Sequence, residues 1–416
     1  MLKLEKYSIG VGDRFGQQAP AQLRACIQSR TQQVTVIPVW NKSFREHSII
    51  GSNHAQVKEA AEAAVKALNW DLPWHVDADH IRLDTVDGFI PYSDFFTLDV
   101  AESIGKPAPQ TQVEEFIKRH PELNSKTQIE GIDRPLNLDI DAIRRIATKY
   151  LTAVKEAGAI YQYIRRKKGD DNFIIEMSTD EADVSQTPEE LLVILAAVAD
   201  EQIPIQTIAP RFSGRFNKGV DYVGDIKVFA REFEEDIAVI KFAIKRYNLP
   251  QNLKLSVHSG SDKFSIYEPI RRAIRKHGVG LHIKTAGTTW LEEVIGLAEA
   301  GGPALELVKE IYIEAVGKID ELTRPYATVI DIRVEELPPP EKVKHWSSEQ
   351  FVLALRHQPN CPQFNPSMRQ LMHVAYRLAA ARLEKYLALV REHESIISRN
   401  VTHNLYDRHI KPIFVD

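Results

Sequence analysis

Two cysteines in 416 residues, Cys26 and Cys361, supply no disulfide framework and no partner at metal-ligand spacing. Long apolar runs are also missing. No stretch is long enough to span a bilayer, and Met1-Leu2-Lys3-Leu4-Glu5-Lys6 has no signal-peptide core, so the expectation is a cytoplasmic chain with no membrane partner. Neither charge sign dominates. With 53 Lys and Arg against 57 Asp and Glu, the net charge is -4, which argues against a nucleic-acid partner because phosphate binding needs a basic face. No repeat with a period of roughly 20–50 residues and no low-complexity tract occurs, which excludes solenoids and propellers. Nothing in the sequence sets an oligomeric state. At 44% hydrophobic and 26% charged, the composition is that of an ordinary globular protein.

Short β-prone runs that end in polar residues are what the chain does contain. They fall at 7–12, 33–39, 74–79, 95–100, 172–177, 203–209, 253–258 and 279–284, with helix-periodic segments in most intervals. Eight such strands predict an α/β fold, a (β/α)8 TIM-type barrel with its chemistry on the carboxyl rim. Helix starts are legible too. Thr187-Pro188-Glu189-Glu190 combines a capping threonine, a proline at the first helical position and a glutamate at the third. Thr289 reads as a similar start, Gly301-Gly302 as a stop, and 229–247 as the helix between strands six and seven. The expected organisation is a barrel over 1–302, with a long insertion at 101–171 after strand four. A helical C-terminal region over 303–416 packs on the barrel.

The site candidates are acids, histidines and bases at strand ends. Asp77 and Asp79 alternate to one face, and two buried like charges require a metal or a basic partner. His80 follows them. His258 opens the polar loop His258-Ser259-Gly260-Ser261-Asp262-Lys263, whose backbone and Lys263 can hold a carboxylate or phosphate, with Asp262 as a further candidate substrate contact. His282 and Lys284 share one face of the last strand, and Lys284 is a candidate substrate contact with the alternative role of neutralising the acids. Glu176 stands within Phe173-Ile174-Ile175-Glu176-Met177, where an ionised carboxylate is paired or functional. Imidazole and carboxylate converging on a rim suit one divalent metal (Zn, Mn, Co or Ni) with an open position. Gly10-Val11-Gly12-Asp13-Arg14-Phe15-Gly16 matches neither the dinucleotide fingerprint nor the P-loop. It reads as the first barrel loop, with Asp13 and Arg14 as substrate contacts or a structural ion pair. Arg165-Arg166-Lys167-Lys168 reads as a solvated helix end, and no nucleophile elbow is present.

Several of these stretches resemble the tagaturonate epimerase family, metal-dependent enzymes of hexuronate catabolism. They are the loop from Gly10 to Gly16, Ala78-Asp79-His80, Ala209-Pro210-Arg211-Phe212, the run from Val257 to Ser265, His282-Ile283-Lys284-Thr285-Ala286-Gly287-Thr288 and Arg369-Gln370-Leu371-Met372-His373-Val374. The resemblance implies interconversion of tagaturonate and fructuronate, with Asp79 as proton acceptor and Glu176 as proton donor. It also implies that His80 and His258 hold a divalent metal, to which spacing adds His282 as third ligand. Arg211 and Lys263 are the expected partners of the substrate carboxylate, and His373 joins the substrate contacts. The inverted carbon lies β to the ketone, so enolisation does not acidify its C–H bond. A retro-aldol route using two carboxylates and a metal avoids that difficulty. Two enzymatic alternatives are a metal-dependent sugar isomerase and an aldolase that releases its fragments. A third is a non-catalytic sugar-acid sensor on the same barrel, which has no need of two proton-transfer groups.

Overall fold

The structure, a computed structural model, describes residues 2–169, 172–180, 182, 184–259, 261–285 and 287–416. Gly260 and Ala286 of the two histidine-containing stretches lie outside the described residues. The strands are β1 (Tyr7–Gly12), β2 (Ile37–Ser43), β3 (His75–Ile81), β4 (Phe95–Asp99), β5 (Ser125–Thr127), β6 (Leu136–Leu138), β7 (Ile174–Ser178), β8 (Ile205–Ala209), β9 (Lys254–His258) and β10 (Leu281–Lys284). Omitting β5 and β6, they close a parallel barrel in the order β1-β2-β3-β4-β7-β8-β9-β10, with β10 bonded back to β1. The expected barrel is therefore present, and β5–β6 is a separate antiparallel pair in the long segment after β4.

Helices α1 (Ala19–Thr31), α2 (Phe44–Ile50), α3 (Ala55–Ala67), α4 (Gln110–Arg119) and α5 (Ile140–Lys168) precede β7. Then α6 (Pro188–Asp200), α7 (Ile226–Tyr247), α8 (Phe264–His277) and α9 (Thr288–Ala300) follow successive strands. The capping box at Thr187 forms as its sequence requires: Glu190 N–H bonds to the Thr187 hydroxyl, and the Glu190 carboxylate accepts Thr187 N–H. Ser43 and Glu46 make the same device at the start of α2. α9 begins one residue before Thr289 and ends at Gly301, whose φ of +74° needs glycine.

The second strand is displaced from the expected 33–39 to Ile37–Ser43. Residues 33–36 instead close the end of α1: Gln33 has φ +61° and donates its N–H to Arg30 O. The strand escaped a hydrophobic reading because its upper half carries Asn41, Lys42 and Ser43. Asn41 and Ser43 share the inward row with Val39, pairing with Asp77 and Asp79, and their polarity reflects the inside of the barrel, which changes character from bottom to top. Val39, Phe95 and Ile174 pack with Leu4 into a small apolar plug. Residues 2–6 seal the floor below it. Leu4 N–H bonds to Gln206 Oε1 at 2.8 Å, and the buried Lys254 ammonium donates to Glu5 O at 2.6 Å. The main apolar core lies between strands and helices, as parallel sheets require.

At the amino end of β3, His75 is buried between Asp94 (Nδ1–Oδ2 2.9 Å) and Glu5 (Nε2–Oε2 3.4 Å). Burial opposes its charge, but the two carboxylates prevail and push its pKa up to about 9. A raised histidine pKa stabilises fully below the unfolded value near 6.5, and that stability is lost as pH rises through 9. Both carboxylates are about one-third exposed, which screens the effect. Unfolding free energy is expected to fall by on the order of 1–3 kcal/mol between pH 6 and 9.5. Urea titrations at both pH values should show a smaller fall in His75→Gln; an unchanged fall would assign the pH dependence to another group.

Beyond α9 the chain is mostly helical, as expected, starting with α10 (Gly302–Gly317) and ending in a π-helical turn, Tyr406–Val415. Helix Glu394–Leu405 packs on α9 and α1. The C-terminal residues also reach the carboxyl rim. Arg369 Nη2, His357 Nδ1 and His409 Nε2 converge on the buried Asp262 carboxylate at 2.7, 3.0 and 3.3 Å.

Candidate active site and metal centre

Every barrel strand delivers alternate side chains inward, and above the apolar plug these are polar. Register decides which of them meet. On β9 and β10, Lys284 pairs with His258, whereas His282 pairs with Ser256 one layer below. Lys284 thus reaches the layer of Asp77, Asp79 and Glu176, while His282 does not reach the rim. Its Nδ1 lies 2.8 Å from Ser8 Oγ, and its ring packs on Phe95. Burial is the main cause that lowers its pKa to about 3, so the ring is neutral. The expectation of His282 as third metal ligand is not met, because the two-residue strand period places it one layer too deep.

Lys284 is the hub of the site. Its buried ammonium lies 2.7 Å from Asp77 Oδ2, 2.8 Å from Asp79 Oδ1 and 2.9 Å from Glu176 Oε1. Burial disfavours its charge, yet the three carboxylates hold its pKa well above the ordinary lysine value. Thr97 extends the network, donating to Asp77 Oδ1 at 2.9 Å and accepting from Lys284 Nζ. The sequence reading of Lys284 as the neutraliser of the acids describes this arrangement.

Two histidines are attached to that network by one nitrogen each. His80 Nδ1 lies 2.9 Å from Asp79 Oδ1, and His258 Nε2 lies 2.8 Å from Glu176 Oε1. Their other nitrogens face Asp180: His258 Nδ1 is 3.3 Å and His80 Nε2 3.9 Å from Asp180 Oδ1. Among the described residues His80, Asp180 and His258 form the group able to hold a metal ion, their ligand atoms lying within 4.8 Å of one another. His258 Nδ1 is buried without a hydrogen bond. A carboxylate behind each imidazole is the arrangement that orients metal-ligating histidines. Burial lowers the basicity of both rings, but the surrounding acids outweigh it. His80 is raised well above its ordinary value, and His258 is raised to about 9. The pocket is thus electrostatically prepared for positive charge.

Backbone geometry at His80 is unusual. Its φ is +53°, in the left-handed region that non-glycine residues avoid, and β3 shifts register against β4 between Ala78 and Ile81. The distortion turns His80 toward Asp180 while Asp79 remains in the inward row. Asp180 itself was not singled out from the sequence. Its signal was the polar run Ser178-Thr179-Asp180 at the end of β7, where Arg211 Nη1 bonds to the Asp180 carbonyl at 3.2 Å.

A cleft of about 540 Å³ opens above, lined by Asp79, His80, Arg14, Lys218, His373 and Tyr376 among others. Arg14 is both rim residue and ion pair: it meets Glu46 at 3.0 Å, bonds to His373 O and lies over the Tyr376 ring. Glu176 lies deeper, at 0% exposure. Three residues expected to contact substrate are occupied elsewhere. Asp13 closes its own loop by accepting the N–H groups of Phe15, Gly16 and Gln18. Asp262 is enclosed by Arg369, His357 and His409, and Lys263 donates to Asn217 O and Val220 O at 2.9 and 2.6 Å. Both are fully buried, since their loop folds back under the C-terminal helices.

A family model described as UxaE, tagaturonate epimerase, matches residues 1–411. The chain belongs to the tagaturonate epimerase family. The tagaturonate/fructuronate epimerase of Thermotoga maritima is 27% identical over 418 residues, covering 97% of this chain and 80% of that relative. A glycerol-complexed crystal structure of fructuronate-tagaturonate epimerase from Cohnella laeviribosi superposes with a TM-score of 0.82. It is 24% identical, covering 99% of this chain and 82% of that one. The native structure of the Cohnella enzyme gives 0.80 at 23% identity, covering 99% and 83%. The tagaturonate epimerase barrel and its helical extension are thus shared along the whole chain.

Proposed function

We propose that this chain is a metal-dependent epimerase that interconverts D-tagaturonate and D-fructuronate by retro-aldol chemistry. The observation that carries the reading is the pairing of each candidate proton-transfer carboxylate with a candidate metal ligand: Asp79 with His80, and Glu176 with His258. Proton transfer and metal binding are thereby held in one rigid unit.

Two imidazoles and one carboxylate suit a divalent ion such as Zn, Mn, Co or Ni and leave positions open for substrate. The ion would be held by His80, Asp180 and His258 and would supply Lewis acidity toward the substrate ketone. Asp79 lines the cleft, and its Oδ2 makes no hydrogen bond among the described residues. It accepts the hydroxyl proton at the inverted carbon. The C–C bond between that carbon and the one bearing the enediolate then breaks, giving an aldehyde. The aldehyde rotates, the same bond re-forms on its other face, and the new alkoxide is protonated. Burial opposes the charge of Glu176, but Lys284 and His258 hold it ionised, its pKa well below the ordinary range. As donor it therefore passes on the proton that Asp79 takes from the substrate, relayed through Lys284, which touches both carboxylates. An aldolase would release the aldehyde; an epimerase retains it, and His373, Tyr376 and Arg377 of the C-terminal region line one side of the cleft where it would be held.

The direct test is assay of both keto-uronates, alongside tagatose and fructose, after chelation and re-addition of Mn²⁺, Co²⁺, Ni²⁺ or Zn²⁺. Activity should disappear with chelator and return with one of these ions. His258→Ala and Asp180→Asn should each lower the bound metal per chain, measured by elemental analysis. Full metal occupancy in both variants would remove this trio as the metal site. Stabilisation by a keto-uronate without turnover would instead favour the sensor reading.

A further inference from the structure

A keto-uronate brings a carboxylate into the cleft, and burying it requires a cation not already paired. Most cations of the rim are engaged. Lys284 holds three carboxylates, Arg14 is paired with Glu46, and Lys263 and Lys42 donate to backbone carbonyls. Arg211 contacts the carbonyl of Asp180, Arg82 meets Glu102, and Arg377 lies 3.6 Å from Glu321. Arg45 lacks a carboxylate but is exposed and lies over the Tyr326 ring. Lys218 differs from all of them. It lines the cleft together with Asp79 and His80 and is half-buried, yet its ammonium makes no hydrogen bond or ion pair among the described residues.

The backbone around Lys218 is fixed on several sides. Its own N–H bonds to Val329 O at 2.8 Å. Gly219 N–H bonds to Ser261 Oγ at 2.8 Å, and Gly219 O accepts Arg369 Nε at 2.6 Å. Gly219 has φ +79°, which lets the chain turn there. The buried Lys263 ammonium ties the carbonyls of Asn217 and Val220 together from beneath. A flexible, partnerless lysine would usually extend into solvent; this one stands on a loop fastened to the β9 loop and to the C-terminal region.

We infer that Lys218 binds the substrate carboxylate and sets the preference for a sugar acid over a neutral sugar. The inference rests on the keto-uronate reading above. It assigns the anion contact to neither Arg211 nor Lys263, and it makes Lys263 a positioning residue that holds the loop presenting Lys218. A compact ammonium meeting a carboxylate at a partly dehydrated wall forms a charge-assisted bond that acts mainly in binding.

Steady-state kinetics of the metal-loaded enzyme, Lys218→Met and Lys218→Arg test it. In Lys218→Met, KM for the keto-uronate should rise about 10- to 100-fold, while kcat changes by less than about threefold. Lys218→Arg should stay within a few-fold of the parent. As competitive inhibitors, a six-carbon aldonate should weaken by a similar factor in Lys218→Met, while a hexitol should be unaffected. An unchanged KM, a loss confined to kcat, or equal weakening of aldonate and hexitol would overturn the inference. If Lys218→Met fails to fold, Lys218→Gln takes its place. Should the parent enzyme convert neither keto-uronate, the functional reading fails. Aldonate binding by calorimetry then decides Lys218 separately: loss in Lys218→Met supports an anion site, and retention or absence of binding in the parent rejects it.

Discussion

Asp79→Asn is expected to lower kcat by roughly 10²–10⁴-fold, the usual worth of a positioned acid or base, with metal content unchanged. The amide keeps the shape of the side chain, and its oxygen can still accept from His80 Nδ1 and from Lys284. What it loses is the capacity to take a proton from the substrate hydroxyl. Glu176→Gln should fall in the same range if Glu176 is the donor. Near-normal turnover there would leave Glu176 as the buried carboxylate that orients His258. The route has its own signature. Retro-aldol cleavage never breaks the C–H bond at the inverted carbon, so epimerisation in D₂O should place no deuterium there. Incorporation at that carbon would replace the proposed route with direct proton abstraction.

The barrel was legible because parallel strands covered on both faces read as short apolar, β-branched runs, and seven of the eight lay within about two residues of their observed positions. The second strand was misplaced where inward side chains became polar, at Asn41 and Ser43. That transition is the functional half of the barrel, where hydrophobic patterning no longer marks a strand. The alternation of Asp77 with Asp79 announced a buried cation, and Lys284 is that cation. Sequence spacing did not carry the register between β9 and β10, which sets Lys284 rather than His282 beside His258. Asp180 was hidden for a related reason. It lies two residues beyond β7, in a loop whose direction no periodicity encodes. The partners of Asp262 come from residues 357, 369 and 409, nearly a hundred positions or more downstream, so a loop that reads as a ligand cradle is a structural clamp.

Lys284→Met is expected to destabilise the metal-free protein by about 3–5 kcal/mol, the cost of removing one partner from a buried charge cluster. The methionine fits the volume of the lysine stem, so packing changes little. The loss is electrostatic: Asp77, Asp79 and Glu176, all under 10% exposed, are left facing one another without the ammonium between them. Burial, followed by the opposing pull of Lys284 and repulsion from Asp79 and Glu176, already pushes the Asp77 pKa upward. Asp77 is therefore the carboxylate whose removal should help most. The double variant Asp77→Asn/Lys284→Met should recover on the order of 1–2 kcal/mol relative to Lys284→Met, a coupling readable from a double-mutant cycle in urea. Activity should not return with stability, because Lys284 also links Asp79 to Glu176. If Lys284→Met were within about 1 kcal/mol of the parent, below the penalty for breaking a buried ion pair, the three carboxylates would be sharing protons rather than relying on the lysine. If the double variant regained turnover along with stability, the lysine would be a structural counter-charge and the proton path between Asp79 and Glu176 would have to run elsewhere.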